Sequence, residues 1–219
     1  GEQNTAVGSY SLDANTTASA NSAFGNAALT ANTTGAYNTA LGAYALDANT
    51  TANDNTAVGT HALTNNTTGG NNVGVGVSAL KANTNTSNNT AVGWHALKEN
   101  TADNNTAFGA YCLDTNTTGA SNVAVGFYAM KANTTAANNA ALGYSALRFN
   151  TTGASNTAVG YYALRSNTTA DDNTAVGFEA LTANTGANNT AVGRNALSTN
   201  TGGTGLTAVG KDALKANTT

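Results

Sequence analysis

Apolar residues recur along the chain in two adjacent pairs, Ala-Val and Ala-Leu, which return about every 17 residues. The first pair lies in the segment Asn-Thr-Ala-Val-Gly, whose β-branched centre and closing glycine are typical of a short strand. The second pair lies between variable polar residues and is followed by Asn-Thr-Thr. Each repeat is therefore predicted to contain one short strand, which ends at a glycine corner.

Thirteen repeat units share one register, in which the Asn that opens the strand segment is position 1. The units begin at Asn4, Asn21, Asn38, Asn55, Asn72, Asn89, Asn105, Asn122, Asn139, Asn156, Asn173, Asn189 and Leu206. Successive units begin 17 residues apart, except that the units beginning at Asn89 and Asn173 have 16 residues. Position 5 is always Gly, which predicts a positive φ or a close backbone approach at a corner.

Other positions are fixed or variable in the same register. Position 12 is always Asn, position 13 is always Thr, and position 9 is Leu in every unit except for Met130. Nearly all charges fall on positions 6, 7, 10, 11 and the last three, which vary. We therefore expect the fixed positions to lie inside the fold and the variable positions to lie outside.

The units are too small to fold independently, since one Val and one Leu cannot form a core. Stacked coils would cover one another's apolar residues, so stability would come from contacts between neighbours. The sequence therefore predicts an all-β fold, a parallel β-solenoid of about thirteen coils that forms one rod-like domain over residues 1–219. Identical amides would stack as a hydrogen-bonded ladder at position 12, formed by Asn15, Asn32, Asn49, Asn66, Asn83, Asn100, Asn116, Asn133, Asn150, Asn167, Asn184, Asn200 and Asn217.

The adjacent apolar pairs leave two interpretations open. Neighbouring residues of a strand point to opposite faces, so one member of each pair should face outward. Either the Ala rows form a second buried surface, against another chain or another wall of the coil, or the segment around Ala-Leu is a helical turn.

Composition and charge exclude several functions. Only 9% of residues are charged, and the formal net charge is −3 with no basic stripe, so we expect no nucleic-acid partner. No run of 18 apolar residues is present, so no membrane span is expected. Neither end of the sequence has an atypical capping unit, which predicts a fragment of, or a subunit in, a longer fibre.

The Asn-Thr-Ala-Val-Gly unit, as in 4–8, 38–42 and 156–160, resembles the repeats in the head domains of trimeric autotransporter adhesins. It also resembles Asn/Thr-rich repeats of bacterial and phage surface fibres, and the resemblance covers essentially the whole chain. It implies a left-handed parallel β-roll that assembles as a homotrimer. The family's usual unit is shorter than 17 residues and lacks the fixed Asn-Thr-Thr segment.

The Asn-Thr-Thr segments are also N-glycosylation sequons, at Asn15, Asn32, Asn49, Asn66, Asn116, Asn133, Asn150, Asn167 and Asn217. Further sequons lie at Asn65, Asn85, Asn88, Asn104 and Asn188. Four equivalent positions keep Asn-Thr but lose the third sequon residue: Asn83, Asn100, Asn184 and Asn200. The structural interpretation is therefore favoured, and glycosylation of some Asn residues is the alternative.

The remaining candidate residues do not form a recurring chemical group. His61 and His95 both occupy position 7 without a recurring carboxylate or cysteine, and Cys112 replaces the Ala of position 8. Aromatic residues at positions 6 and 7 either shield the coil edge or line a sugar-binding or interchain stripe: Trp94, Tyr44, Tyr111, Tyr128, Tyr161 and Tyr162. Asp103, Asp171 and Asp172 do not follow the calcium-binding roll pattern.

These observations predict a structural protein rather than an enzyme, with no cofactor, metal or catalytic residue. The expected role is the rigid shaft of an extracellular filament or surface fibre, on a cell or a virion, formed by self-association. The alternative is an adhesin-type module that binds surface glycans or another surface. Ice binding is a further alternative, although the position 2 Thr row is interrupted by Ser22, Val73, Val123 and Ala140.

Overall fold

The computed structural model of the chain describes residues 1–218 and is all-β. It comprises two compact units, Gly1–Ala107 and Phe108–Thr219. The described residues form thirteen strands of three residues each: β1 Thr5–Val7, β2 Ser22–Phe24, β3 Thr39–Leu41, β4 Thr56–Val58, β5 Val73–Val75, β6 Thr90–Val92, β7 Thr106–Phe108, β8 Val123–Val125, β9 Ala140–Leu142, β10 Thr157–Val159, β11 Thr174–Val176, β12 Thr190–Val192 and β13 Thr207–Val209. No helix occurs among these residues, so the helical-turn interpretation of the Ala-Leu segment is wrong.

The strands pair in parallel with their sequence neighbours, and equivalent positions of consecutive repeats lie side by side. In the first unit Thr39 pairs with Thr56, and in the second Thr157 pairs with Thr174. Each repeat is therefore one coil of a parallel β-solenoid, as the sequence predicts.

Each strand points one residue inward and two outward, because side chains alternate along extended backbone. The central Ala of position 3 is fully buried, as at Ala40 and Ala158. Position 4 faces outward and is 56% exposed at Val7 and 50% exposed at Leu142. The expectation that every fixed position lies inside is therefore wrong at position 4, whose outward apolar column is exposed in eight coils and half-buried in five. It is also wrong at position 13, where Thr84 is exposed.

Two backbone turns explain why Ala and Leu of positions 8 and 9 are both buried. In the coil that begins at Asn55, the amide of Ala62 donates to the carbonyl of Gly59, and the amide of Asn66 donates to that of Leu63. His61 and Leu63 have φ values of 58° and 52°. Because His61 and Leu63 are left-handed and Ala62 is not, the strand alternation is lost and both Ala62 and Leu63 point into the coil.

The left-handed backbone at position 9 limits which side chains can fill the core. Leu147 has a φ of 51° and is fully buried, and Met130 takes the same conformation in the preceding coil. A side chain branched at Cβ is strained in this region, whereas an unbranched one is tolerated better. Position 9 is accordingly never Val, Ile or Thr in any unit.

We expect Leu147→Ile to destabilise the chain by about 2 kcal/mol, since it adds backbone strain to a change of side-chain shape. The control Leu147→Met should cost less than about 1.5 kcal/mol. Urea unfolding followed by circular dichroism measures both. Equal losses in the two variants would show that side-chain volume alone governs this position.

Candidate functional site

Two rows of buried asparagines connect neighbouring coils. At position 12, the side-chain amide of Asn49 donates to Oδ1 of Asn32 at 2.8 Å, and Asn133 donates to Asn116 at 2.7 Å. The same amide also donates to the carbonyl at position 15 of its own coil, as Asn150 does to Gly153 at 2.8 Å. The position 12 side chains thus lie above one another and are hydrogen-bonded both between coils and within each coil.

A second row at position 1 was not identified from the sequence. Oδ1 of Asn139 accepts the backbone amide of Asn156 at 2.8 Å, and its Nδ2 donates to the carbonyl of Gly153 at 3.0 Å. The equivalent coil-to-coil bond joins Asn38 to Asn21 at 2.9 Å. The presence of Asn at position 1 of every unit except the last was the available signal, which served only to define the repeat register.

The Asn rows explain how a polar residue can be fixed in the interior. Asn32 and Asn150 are fully buried, and their amide donors and acceptors are both bonded. Buried amides without partners would cost free energy, so the identical residue is needed in each coil. The 16-residue coil that begins at Asn173 preserves this pattern, since Asn184 bonds the carbonyl of Gly186 two residues later rather than three.

Burial of the position 12 row also affects whether its N-glycosylation sequons can carry a glycan. The glycan would be attached to Nδ2, which is the atom that donates the ladder bonds of Asn32 and Asn133. Asn15 and Asn217 are half-buried. A glycan at a fully buried position would remove one of the two bonds that Nδ2 donates, and it requires volume that the stacked coils do not leave. The exposed sequon residues are Asn65, Asn85, Asn88, Asn104 and Asn188.

The fixed threonines of position 13 lie at the surface and bind backbone. The hydroxyl of Thr33 donates to the carbonyl of Thr50 at 3.0 Å, and that of Thr134 donates to Thr151 at 3.1 Å. The outward residues of the strands are Thr at position 2, except for Ser22, Val73, Val123 and Ala140, and Val, Leu or Phe at position 4. The strand therefore carries one threonine column rather than the two that an ice-binding Thr-x-Thr face presents.

The sequence-predicted His and Cys residues lie in separate places. His61 is half-buried and stacks on Tyr44 with ring centroids 5.1 Å apart, and His95 packs against Trp94 at 4.7 Å. The thiol of Cys112 is buried and contacts the carbonyl of Ala124 at 3.1 Å. Burial raises the pKa of this thiol to about 12, so it is protonated at neutral pH.

The aspartates considered for calcium bind backbone instead. Oδ1 of Asp103 accepts the amide of Ser87 at 2.7 Å, and Oδ1 of Asp171 accepts that of Ala154 at 2.7 Å. Among residues 1–218, no three His, Cys, Asp or Glu side chains are grouped so that they could hold a metal ion. That same range contains no helix of the length and apolarity that a membrane crossing requires.

Aromatic side chains in the second unit form a continuous exposed stack at position 6. Phe127, Tyr144, Tyr161 and Phe178 lie on consecutive coils, with neighbouring ring centroids 5.2–5.7 Å apart and nearly parallel planes. Each ring is about 40% exposed. Of these residues the sequence analysis singled out only Tyr161, because position 6 varies across the whole array and the aromatic run is confined to four coils.

Comparison of the chain with protein-family models and with curated proteins gave no match.

Proposed function

We propose that the chain is a structural protein, the shaft of an extracellular filament or surface fibre, rather than an enzyme. The observation that most supports this proposal is the apolar column at position 4, which is repeated on every coil and faces outward. Exposed fractions reach 56% at Val7, 53% at Phe108 and 50% at Leu142. Contiguous apolar surface of this kind typically marks an interaction site.

Self-association is the assembly that this column fits best. Within each compact unit, stacked coils present one apolar residue per coil at the spacing of the coils. A second copy of the chain presents the same spacing and can pack against it. Symmetric homo-oligomers commonly use such repeated, self-complementary surfaces. The buried Asn rows support the same role, because they hold the coils in one register without charged groups.

We expect lysines on the outer apolar column to prevent assembly. Val125→Lys, Leu142→Lys and Val159→Lys together place three cations on adjacent coils of the proposed interface, where they would be desolvated without partners. Sedimentation velocity should show assemblies of several chains for the wild type and a monomer for this variant. Electron microscopy of the wild type should show fibres.

The matched control places three lysines on the same coils away from that face, as Thr135→Lys, Thr152→Lys and Thr169→Lys, at exposed positions. This control should assemble as the wild type does. A wild type that remains monomeric at micromolar concentration, or a column variant that still assembles, would contradict the proposed shaft.

A further inference from the structure

Cations and aromatic rings alternate across four coils of the second unit. Lys131 lies 5.1 Å from the ring centroid of Tyr111 and 4.8 Å from that of Tyr128. Arg148 lies 4.6 Å from Tyr128 and 5.0 Å from Phe149. Arg165 continues the order, at 5.3 Å from Phe149 and 4.5 Å from Tyr162. We call these three cations and four rings the cation–aromatic row.

A carboxylate continues the row at one end, since Asp114 occupies position 10 of the coil before that of Lys131. In the described part of the chain, ion pairs join Lys98 to Glu99, and Lys211 and Lys215 to Asp212, and none of these residues belongs to the row. Nε of Arg148 and Nε of Arg165 are buried and have no hydrogen-bond partner among residues 1–218. Ring faces therefore hold the guanidinium groups in place. Because Nε is buried, an oxyanion would bind the terminal nitrogens of these groups.

A groove lies beside the middle of the row. It has a volume of about 390 Å³ and is lined by Thr115, Lys131, Ala132, Thr134, Arg148 and Phe149. The hydroxyls of Thr115 and Thr134 donate to backbone carbonyls at 2.7 and 3.1 Å, so their lone pairs are available as acceptors. The groove thus combines cations, hydroxyl acceptors and an exposed ring, which together complement an acidic sugar.

The spacing of the cations favours one class of polyanion. They occupy the same position on adjacent coils, which lie ~4.8 Å apart in the hydrogen-bonding direction. A linear polymer of uronic acids carries one carboxylate per sugar ring, so its charges are spaced more widely than those of a nucleic-acid duplex. Duplex DNA instead carries one charge per ~1.7 Å, so three cations would neutralise only a small part of it.

The charge distribution also argues against general attraction of polyanions. Residues 108–219 contain six Lys and Arg against five Asp and Glu, a net charge of +1. Residues 1–107 contain two against six, a net charge of −4. Binding of a polyanion therefore depends on local geometry rather than on the net charge of the chain.

We propose that the cation–aromatic row binds a linear acidic polysaccharide, with guanidinium and ammonium groups on its carboxylates and sugar rings against Phe149 and its neighbours. This binding activity goes beyond the proposed shaft, and it requires only one chain. Arginine forms planar bidentate pairs with carboxylates, which fits the two central cations of the row.

The test measures binding of the full chain to polygalacturonate oligomers by calorimetry, with the fully methyl-esterified polymer as the uncharged control. Lys131→Gln, Arg148→Gln and Arg165→Gln together should weaken the affinity at least tenfold. The charge-matched control Lys81→Gln, Lys211→Gln and Lys215→Gln should stay within about twofold of the wild type. Circular dichroism checks that each variant is folded. If the triple variant unfolds, Arg148→Gln alone replaces it, and its affinity for polygalacturonate should fall about threefold.

The remaining outcomes each overturn the proposal. They are absence of wild-type binding, equal binding of the esterified polymer, and equal losses in the row variant and its charge-matched control. Tighter binding of a single-stranded oligonucleotide than of polygalacturonate would assign the row to nucleic acid instead.

Discussion

Replacement of Gly143 with alanine should destabilise the chain by about 3 kcal/mol or more, since it combines backbone strain with overpacking. Gly143 has a φ of 139°, a conformation that L side chains rarely adopt. An added Cβ would also lie 2.7 Å from the carbonyl carbon of Gly160 in the next coil and closer still to its oxygen. Both atoms belong to the backbone, so relief would require the coils to separate.

The last coil supplies a control that measures the cost of backbone strain without the steric overlap between coils. Gly210 has a φ of 124°, but a Cβ placed on it meets no atom within 4 Å. Gly210→Ala should therefore retain only the strain, about 1–3 kcal/mol. Urea unfolding measures both losses. If the two substitutions cost the same, coil-to-coil contact is not the reason for glycine at position 5.

Replacement of Asn150 with aspartate should cost about 3–5 kcal/mol at pH 7, the usual effect of an uncompensated buried charge. The amide of Asn150 donates to Oδ1 of Asn133 and to the carbonyl of Gly153, and its Oδ1 accepts from Asn167 at 2.9 Å. A carboxylate has the same shape but no donor, so it faces two acceptors inside a fully buried row. An exposed control is Asn138→Asp, since Asp54 and Asp172 occupy the same position in other coils.

The loss at Asn150→Asp should depend on pH. Burial raises the pKa of the new carboxyl group in the folded state above its unfolded value of ~3.9. Below that unfolded value both states are protonated, the acid can donate to Gly153, and only about 1 kcal/mol should be lost. The penalty then grows as pH rises from the unfolded pKa to the folded one. Urea midpoints at pH 3 and pH 7 measure this difference. A penalty that is independent of pH would show that the ladder amide is not confined as described.

Much of the coil interior could be predicted from recurrence alone. Leu at position 9 and Asn at position 12 are fixed in a chain whose other positions vary, and both are fully buried, as at Leu147 and Asn150. Glycine at position 5 was predicted to have a positive φ or a close backbone approach, and Gly143 has both. A stack of identical coils repeats every interior contact, so selection for that contact is visible as a fixed residue.

The recurrence of a residue does not reveal whether its side chain points into the coil or outward. This is why position 4 was wrongly predicted to lie inside. Val, Leu and Phe recur there as strictly as interior residues do, yet Leu142 faces outward because the preceding Ala occupies the inward place of a three-residue strand. Both residues of the Ala-Leu pair are buried only because left-handed residues at positions 7 and 9 interrupt the alternation of inward and outward side chains. Leu63 gave no sequence signal of this conformation, since Leu rarely adopts it.

The sequence by itself determined the parallel β-solenoid, its coil length and the residues that each coil repeats, because a 17-residue period with fixed apolar and amide positions can bury them only by stacking. Only the tertiary structure showed which side chains at the variable positions contact one another on the surface. Lys131, Arg148 and Arg165 are ordinary surface charges when the sequence is read along the chain. They become one row with Tyr128 and Phe149 only because stacking brings residues of successive coils into contact.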